Sequence, residues 1–311
     1  MSRKIVVLGS SNTDMIINLE RIPKPGETVL GGAFSMAGGG KGANQAVAAA
    51  RAGGDVALIA RVGKDIFGDQ AVRGFREAAI DVDFVIRDEK APSGVALIFV
   101  DREGENCIAV ASGANAGLSP ADVRRAERIL AGADILLMQL EVPLETVRLA
   151  AEIASANGVR IILNPAPARP LPDDILRNVS ILTPNEIEAG MLSGSAAGTD
   201  VEAGKAAQIL RGRGVDTVVL TLGARGAFVS GRDFEGMVPG FKVKPVDTTA
   251  AGDVFNGALA VALSADAPLP DAVRFANAAA AISVTMPGAQ TSAPHRKDID
   301  RFLTAHLPQS A

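Results

Sequence analysis

The sequence predicts an α/β protein of three layers, a mainly parallel central sheet flanked by helices, with a small β-sheet lid. Three observations carry that prediction. Apolar strand-like runs are continuous rather than alternating, as strands covered on both faces are. They take turns with helical patterns, as strand–helix–strand units do. Polar clusters follow the runs at their carboxyl ends, where ligands of such folds collect.

The first element, residues 4–9, is β-branched and continuous and stops at "GSSN". Residues 14–36, "DMIINLERIPKPGETVLGGAFSM", instead alternate apolar and polar positions around a Pro-Gly turn, as strands with one wet face do. Residues 37–54, "AGGGKGANQAVAAARAGG", are a glycine loop opening onto a small-residue helix, and "DVALIARVG" is the next strand. Residues 93–111, "SGVALIFVDREGENCIAVA", predict a hairpin turning at "DREGE". With 14–36 it makes a small sheet standing off the main one, a lid or an association surface. Further strands follow in "ADILLMQLE", "VRIILNPAP", "VSILTPNE" and "DTVVLTLG". The helical patterns between them include "PLETVRLAAEIASANG" and "DVEAGKAAQILRGRG". The stretch "TLGARGAFV", 221–229, predicts a strand, a glycine turn and another strand. No linker, low-complexity segment or repeat divides the chain, so residues 1–311 are expected to form one domain carrying the lid.

Composition narrows the function classes. With 48% apolar residues, no Trp and no Tyr, the chain suits a tightly packed α/β protein and not a disordered one. A formal charge of −4 argues against a duplex nucleic-acid partner. The lone Cys107, in the strand-like "NCIAVAS", excludes an internal disulfide and a cysteine-rich zinc site. His295 and His306 have no metal spacing and are expected at the surface. No run reaches the roughly 18 apolar residues of a membrane span, and the N-terminal apolar run is too short for a signal peptide. A soluble, cytoplasmic protein without a membrane partner is expected.

The strongest chemical signal is "VDTTAAGDVFNGAL", residues 246–259. Ala250, Ala251 and Gly252 present consecutive N–H groups at the start of a buried helix, and such a terminus attracts anions. An acid placed there repels an anion that merely binds. It makes sense if it accepts a proton while the anion is being transferred. Ala250, Ala251 and Gly252 therefore read as an anion hole for a phosphoryl group, and Asp253 as the base for its acceptor.

Three other motifs each carry two readings. The glycine loop fails the P-loop test because Gly42 follows Lys41, and it matches no G-x-G-x-x-G frame. Its glycines serve close helix packing, or they let backbone N–H groups of residues 38–42 approach a small polar ligand with Lys41 and Asn44 adding side chains. In "TPNEIEAGML", 183–192, Asn185 or Glu186 caps a helix, or Asn185 and Glu188, sharing a face, position a hydrated magnesium ion and phosphate oxygens. In "TLGARG" the glycines shape an ordinary hairpin, or Gly223 and Gly226 admit a nucleotide close to the backbone.

In their order, "GSSNTD", "PKPGET", "GGKGANQAVAAARAG", "LMQLEVPLETV", "LNPAPA", "TPNE", "TLGARG", "VDTTAAGDVFNGAL" and "GAQTS" closely resemble the ribokinase-like carbohydrate kinases, nearly end to end. The resemblance implies ATP-dependent phosphorylation of D-ribose at its 5-hydroxyl, with Asp253 as base and Ala250, Ala251 and Gly252 as the anion hole. It implies a sugar pocket of Asn12, Asp14, Gly39, Gly40, Lys41, Asn44 and Glu141, completed by Asp253. It places the nucleotide against Asn185, Thr221, Leu222, Gly223, Ala224, Arg225, Gly226, Gly252 and Asn277, with Glu188 helping to place Mg²⁺ indirectly. A monovalent cation, usually K⁺, is implied near Asp247, Thr249, Ser283, Met286, Gly288 and Ser292, and a homodimer through the lid. Two departures stand out. Ala37-Gly38 replaces a bulkier residue before the glycine pair, which is expected to loosen the sugar pocket, and Met286-Pro287 replaces charged residues in the cation loop.

The nearest rival reading is a kinase of another small sugar, such as deoxyribose or a ketose. A nucleoside kinase needs an aromatic or apolar slot that the lid, with scattered Phe, does not offer. A non-catalytic sugar sensor has no use for an intact Asp253.

Overall fold

The computed structural model describes residues 3–306. Nine strands among these form the main sheet: β1 (Lys4–Leu8), β4 (Asp55–Gly63), β5 (Val85–Asp88), β8 (Ile135–Met138), β9 (Arg160–Leu163), β10 (Ile181–Leu182), β11 (Thr217–Thr221), β12 (Gly226–Ser230) and β13 (Glu235–Pro239). Four more, β2 (Asn12–Asn18), β3 (Ala33–Gly39), β6 (Gly94–Val100) and β7 (Asn106–Ala111), form a separate small sheet. The main sheet runs β13-β12-β11-β10-β9-β8-β1-β4-β5. It is parallel from β11 to β5, and β12 and β13 add an antiparallel edge.

Period-two geometry explains the continuous apolar strands. Ile5 and Val7 of β1 pack into the core under helices Lys41–Arg51, Ala251–Ser264 and Leu269–Ser283, whereas Val6 and Leu8 pack into the core under helices Leu144–Ala156 and Asp200–Gly212. Each such fully buried Val, Leu or Ile contributes about 1.5–3 kcal/mol. With helices on both faces, neither side of a strand has a use for polar residues.

The strand order reverses at β1. The chain leaves β1 toward β4 on one side and later returns to lay β8 on the other. The crevice beyond the carboxyl ends of β1 and β8 is thus the topological switch point, where open α/β sheets bind ligands. It is bridged by Ser10, whose hydroxyl donates to Glu141 Oε2 at 2.5 Å.

The lid is larger at its root than the alternation in 14–36 predicts. Its pairing begins at Asn12, opposite Gly39 and Gly94, and residues 19–32 lie outside the strands. Asn12, Gly39 and Gly94 have little strand propensity, and pairing of β2 with both β3 and β6 makes strand of them. As a result the lid strands themselves carry Asn12, Asp14 and Gly39 to the crevice. The β6–β7 hairpin turns at residues 101–105, where the Asp101 carboxylate accepts from the N–H groups of Glu103 and Glu105 at 2.9 and 3.0 Å. Cys107 lies exposed in β7, and His295 and His306 are both exposed. No helix among the described residues is long and apolar enough to cross a membrane.

Candidate active site

Helix Ala251–Ser264 begins where the small residues predict, with Ala250 as its cap in the left-handed region at φ 58°. Asp253 sits in the first turn but does not cap it. Its carboxylate turns into the protein, accepting from Asn44 Nδ2 at 3.0 Å and from Gln45 Nε2 at 2.9 Å. The helices that carry these residues meet closely because Gly257 faces Ala48, where a β-carbon would come within 2.7 Å of the Ala48 methyl. Gly252 is exposed, with open space where a side chain would stand, so the first turn is accessible from outside.

Around Asp253 gather the predicted sugar-pocket residues. Glu141 Oε2 accepts the Lys41 backbone N–H at 3.0 Å, at the start of helix Lys41–Arg51, which Gly40 caps. Asn12 Oδ1 accepts from Asn115 Nδ2 at 2.8 Å, a partner the sequence did not single out. The Asp14 carboxylate lies against Gly39, where a β-carbon would fall 2.1 Å from Asp14 Oδ1. Any other residue at 39 would expel that carboxylate. The buried Asn44 Oδ1 has no hydrogen-bond partner.

The electrostatics are those of four acids, Asp14, Glu141, Asp253 and Glu188, and one cation, Lys41. Burial pushes Asp14 up to about 6, helped by the charges of Glu141 and Asp253. Burial also raises Asp253, against the Lys41 charge and the Asn44 and Gln45 hydrogen bonds, with Glu141 adding to the rise. Burial works against a charged Lys41, but Asp253, Glu141 and Glu188 outweigh it and hold the amine above the usual lysine range. These carboxylates are acceptor-only when ionised.

On the other side of the first turn lies a cleft of about 680 Å³. Of the predicted nucleotide residues, Asn185, Thr221, Gly223, Ala224, Gly226, Gly252 and Asn277 line it. Two others do not. Leu222 is buried in the core, and the exposed Arg225 is held by Glu186 and Asp200, each at 2.7 Å. Asn277 also ties the sheet edge, donating to the carbonyls of Val238 and Pro239 at 3.1 and 3.2 Å. The sequence reading missed the opposite wall, residues 240–243 and Pro245, which carries no periodic or motif signal.

In "TPNE" the structure shows the helix cap. Asn185 and Glu188 form a reciprocal capping box, with the Asn185 N–H donating to Glu188 Oε2 at 2.9 Å and the Glu188 N–H to Asn185 Oδ1 at 2.8 Å. Burial raises the Glu188 carboxyl, against the Asn185 hydrogen bond and the Lys41 charge. Among the described residues no group of three or more His, Cys, Asp or Glu side chains could hold a metal ion directly.

At the cation-loop positions, Asp247 accepts the N–H groups of Thr249 and Gly288 at 2.9 and 2.8 Å, clipping the two loops together. The Ser283 and Ser292 hydroxyls turn onto the carbonyls of Ala280 and Ala289, each at 2.9 Å. Met286 is part exposed. The Gln290 side chain stands where a β-carbon at Gly38 would be, and Ala37, Gly38 and Gln290 line a cavity of about 390 Å³ together with Asn12.

The site is thus a buried acid in a helix's first turn, with a polar pocket and a cleft beside it. Residues 2–296 match the pfkB family carbohydrate kinases. The chain belongs to that family. A ribokinase of Haemophilus influenzae is 46% identical over 97% of this chain and 99% of its own. A deoxyribokinase of Salmonella typhimurium is 38% identical, over 96% and 98%. The structure of an Arabidopsis thaliana ribokinase complexed with ribose and ATP superposes with a TM-score of 0.89 at 31% identity, covering 97% of this chain and 99% of that one. In this kinase family the three-layer sheet with its small added sheet is the shared architecture, and the fold predicted from strand–helix alternation is the one observed.

Proposed function

We propose that the protein transfers the γ-phosphoryl group of ATP to the 5-hydroxyl of D-ribose, giving D-ribose 5-phosphate and ADP. The observation that carries this reading is Asp253, buried, doubly hydrogen-bonded and seated in the first turn between the acid-lined pocket and the cleft. The acceptor-only groups Asp14, Glu141 and Asp253, with the unpartnered Asn44 Oδ1, need hydrogen-bond donors. A small molecule bearing several hydroxyls supplies them. Asn12, Gly39, Gly40 and Lys41 complete its pocket.

The hydroxyl proton passes to Asp253 while its oxygen bonds the phosphorus and the bond to ADP breaks. The first-turn N–H groups of the helix that Ala250 caps face the charge that develops on the transferred group. ATP supplies the transferable group from the cleft, and Glu188 would help to hold a Mg²⁺ ion that neutralises its phosphate charge. Measuring ADP release with D-ribose, 2-deoxyribose and a panel of ketoses tests the assignment. The expected result is the highest kcat/KM for D-ribose; equal or better use of deoxyribose replaces it with the rival reading. No sugar-dependent ADP release at all removes the kinase reading.

Two finer properties belong to the same proposal. A K⁺ ion held by carbonyl oxygens of residues 246–252 and 283–292 would fix the loop that leads into the first turn. The Asp247 clip between these loops and the inward-turned serines fit a cage made of carbonyls rather than side-chain hydroxyls. Activity is expected to rise when potassium is added in a sodium-free buffer, and Asp247→Ala to blunt the response; a rate flat from zero to saturating potassium sinks this role. The lid leaves Phe34, Met36, Leu97, Ile108 and Val110 exposed, which supports a homodimer through it. Sedimentation at micromolar concentration checks that, a monomer being the contrary result.

A further inference from the structure

Beneath Asp253 runs a buried chain of amides that the reaction as described does not use. Gln45 is fully buried and uses all of its hydrogen-bonding groups. Its Nε2 donates to Asp253 Oδ1 at 2.9 Å and to Asn164 Oδ1 at 3.1 Å, while its Oε1 accepts from Gln139 Nε2 at 2.5 Å. Asn164 Nδ2 donates in turn to the Thr183 carbonyl at 3.1 Å. The Thr183 hydroxyl donates to Asn256 Oδ1 at 2.6 Å, and Asn256 Nδ2 donates to the Gly252 carbonyl at 2.8 Å. Gln139, Asn164 and Thr183 each stand immediately past the carboxyl end of a parallel strand, β8, β9 and β10. The chain therefore hangs from the rigid sheet and returns to the first turn that carries Asp253.

An amide presents an acceptor on one side and donors on the other, so its partners decide which way it faces. Gln139 donates to Gln45 Oε1, which forces the two Gln45 donors toward Asp253 and Asn164. Asn44 Oδ1 and Gln139 Oε1 are both buried without a partner, so nothing locks Asn44 from behind, and Gln139 is held through its donation to Gln45 alone. We propose that Gln45, oriented by Gln139 and Asn164, is a positioning residue that keeps the Asp253 carboxylate ionised and aimed at the acceptor hydroxyl. This inference rests on the reading of Asp253 as the base. The other charged groups facing Asp253 are Lys41, which favours its ionised form, and Asp14, Glu141 and Glu188, which oppose it. With this net acidic surround, a donor that cannot turn away matters more than in an exposed site.

Gln45→Met keeps the length of the side chain and removes both donors. At saturating ribose and ATP, its kcat is expected to fall about 10–100-fold on the acidic limb of the profile. That limb of its kcat–pH profile should move to higher pH, so that the deficit shrinks as pH rises onto the plateau. The ribose KM should stay within about threefold. Gln139→Met, which acts only through Gln45, should show the same shift at smaller size, and it carries the test if Gln45→Met does not fold. A deficit of the same size at every pH, or no deficit in either variant, overturns the proposal. Asp253→Asn assayed alongside separates the two readings. If that variant is inactive while both glutamine variants keep the wild-type limb, only the positioning role fails. If it turns over normally, the base assignment itself fails.

Discussion

Asp253→Asn should lower turnover by about 10²–10⁴-fold or more, the usual scale for removing a general base, while ribose and ATP still bind within a few-fold. The structure explains why this substitution tests chemistry rather than folding. An asparagine keeps one acceptor oxygen, so only one of the two donors, Asn44 Nδ2 and Gln45 Nε2, can still be accepted. Gln45 is fixed by Gln139 and Asn164, but Asn44 has an unpartnered Oδ1 and can rotate to accept from the introduced amide nitrogen. The variant can therefore keep its buried hydrogen bonds while losing the ability to take a proton, together with the negative charge that faces Lys41. Single-turnover rates together with binding of each substrate check this. Near-normal turnover would leave Asp253 a structural residue.

Asp14 is expected to give two large and opposite effects. Asp14→Ala should raise the ribose KM by about 10–150-fold, a charged hydrogen bond to a sugar hydroxyl being worth roughly 1.5–3 kcal/mol. The ATP affinity without sugar should hardly change, because the cleft lies on the far side of the Asp253 turn. Equal losses for both substrates would instead indicate a damaged fold.

The unliganded protein should meanwhile be held back by the same carboxylate. Burial, with Glu141 and Asp253, lifts Asp14 from the ordinary 3.8 to about 6. A group whose folded value lies above its unfolded one favours folding when protonated, and that contribution disappears as pH rises from about 4 through 6. Above pH 6 wild type carries the full cost, roughly 2–3 kcal/mol. Asp14→Asn should accordingly be more thermostable than wild type at pH 8, with the difference vanishing toward pH 4. Parallel melting curves of the two proteins across that range decide it, and identical pH dependence would refute it.

Much of this site was legible in the residues because the motifs describe local backbone. The helix start at residues 250–252 and the capping pair of Asn185 and Glu188 are set within a few residues of chain, by small side chains and by a reciprocal cap. Gln45 and Gln139 left a fainter signal, an amide inside the otherwise mostly apolar runs "GANQAVAAA" and "LLMQLE". A buried amide in such a run needs a partner, yet nothing in the run says which partner it finds.

Continuous apolar strands alternating with amphipathic helices by themselves determined the layered α/β architecture, since each pattern can be buried in only one way. The start of Ala251–Ser264 and the acid within it were likewise written in consecutive residues. Tertiary structure alone decided what Asp253 does there. Close approach at Gly257 turned it toward Asn44 and Gln45, residues some two hundred positions away, instead of leaving it as a cap. The lid's reach to Asn12, the wall of residues 240–245 and the outward turn of Arg225 were settled in the same way. Hydrogen-bond and packing partners distant in sequence are chosen by the sheet order and by which side chains fit the remaining space, and no local pattern encodes that choice.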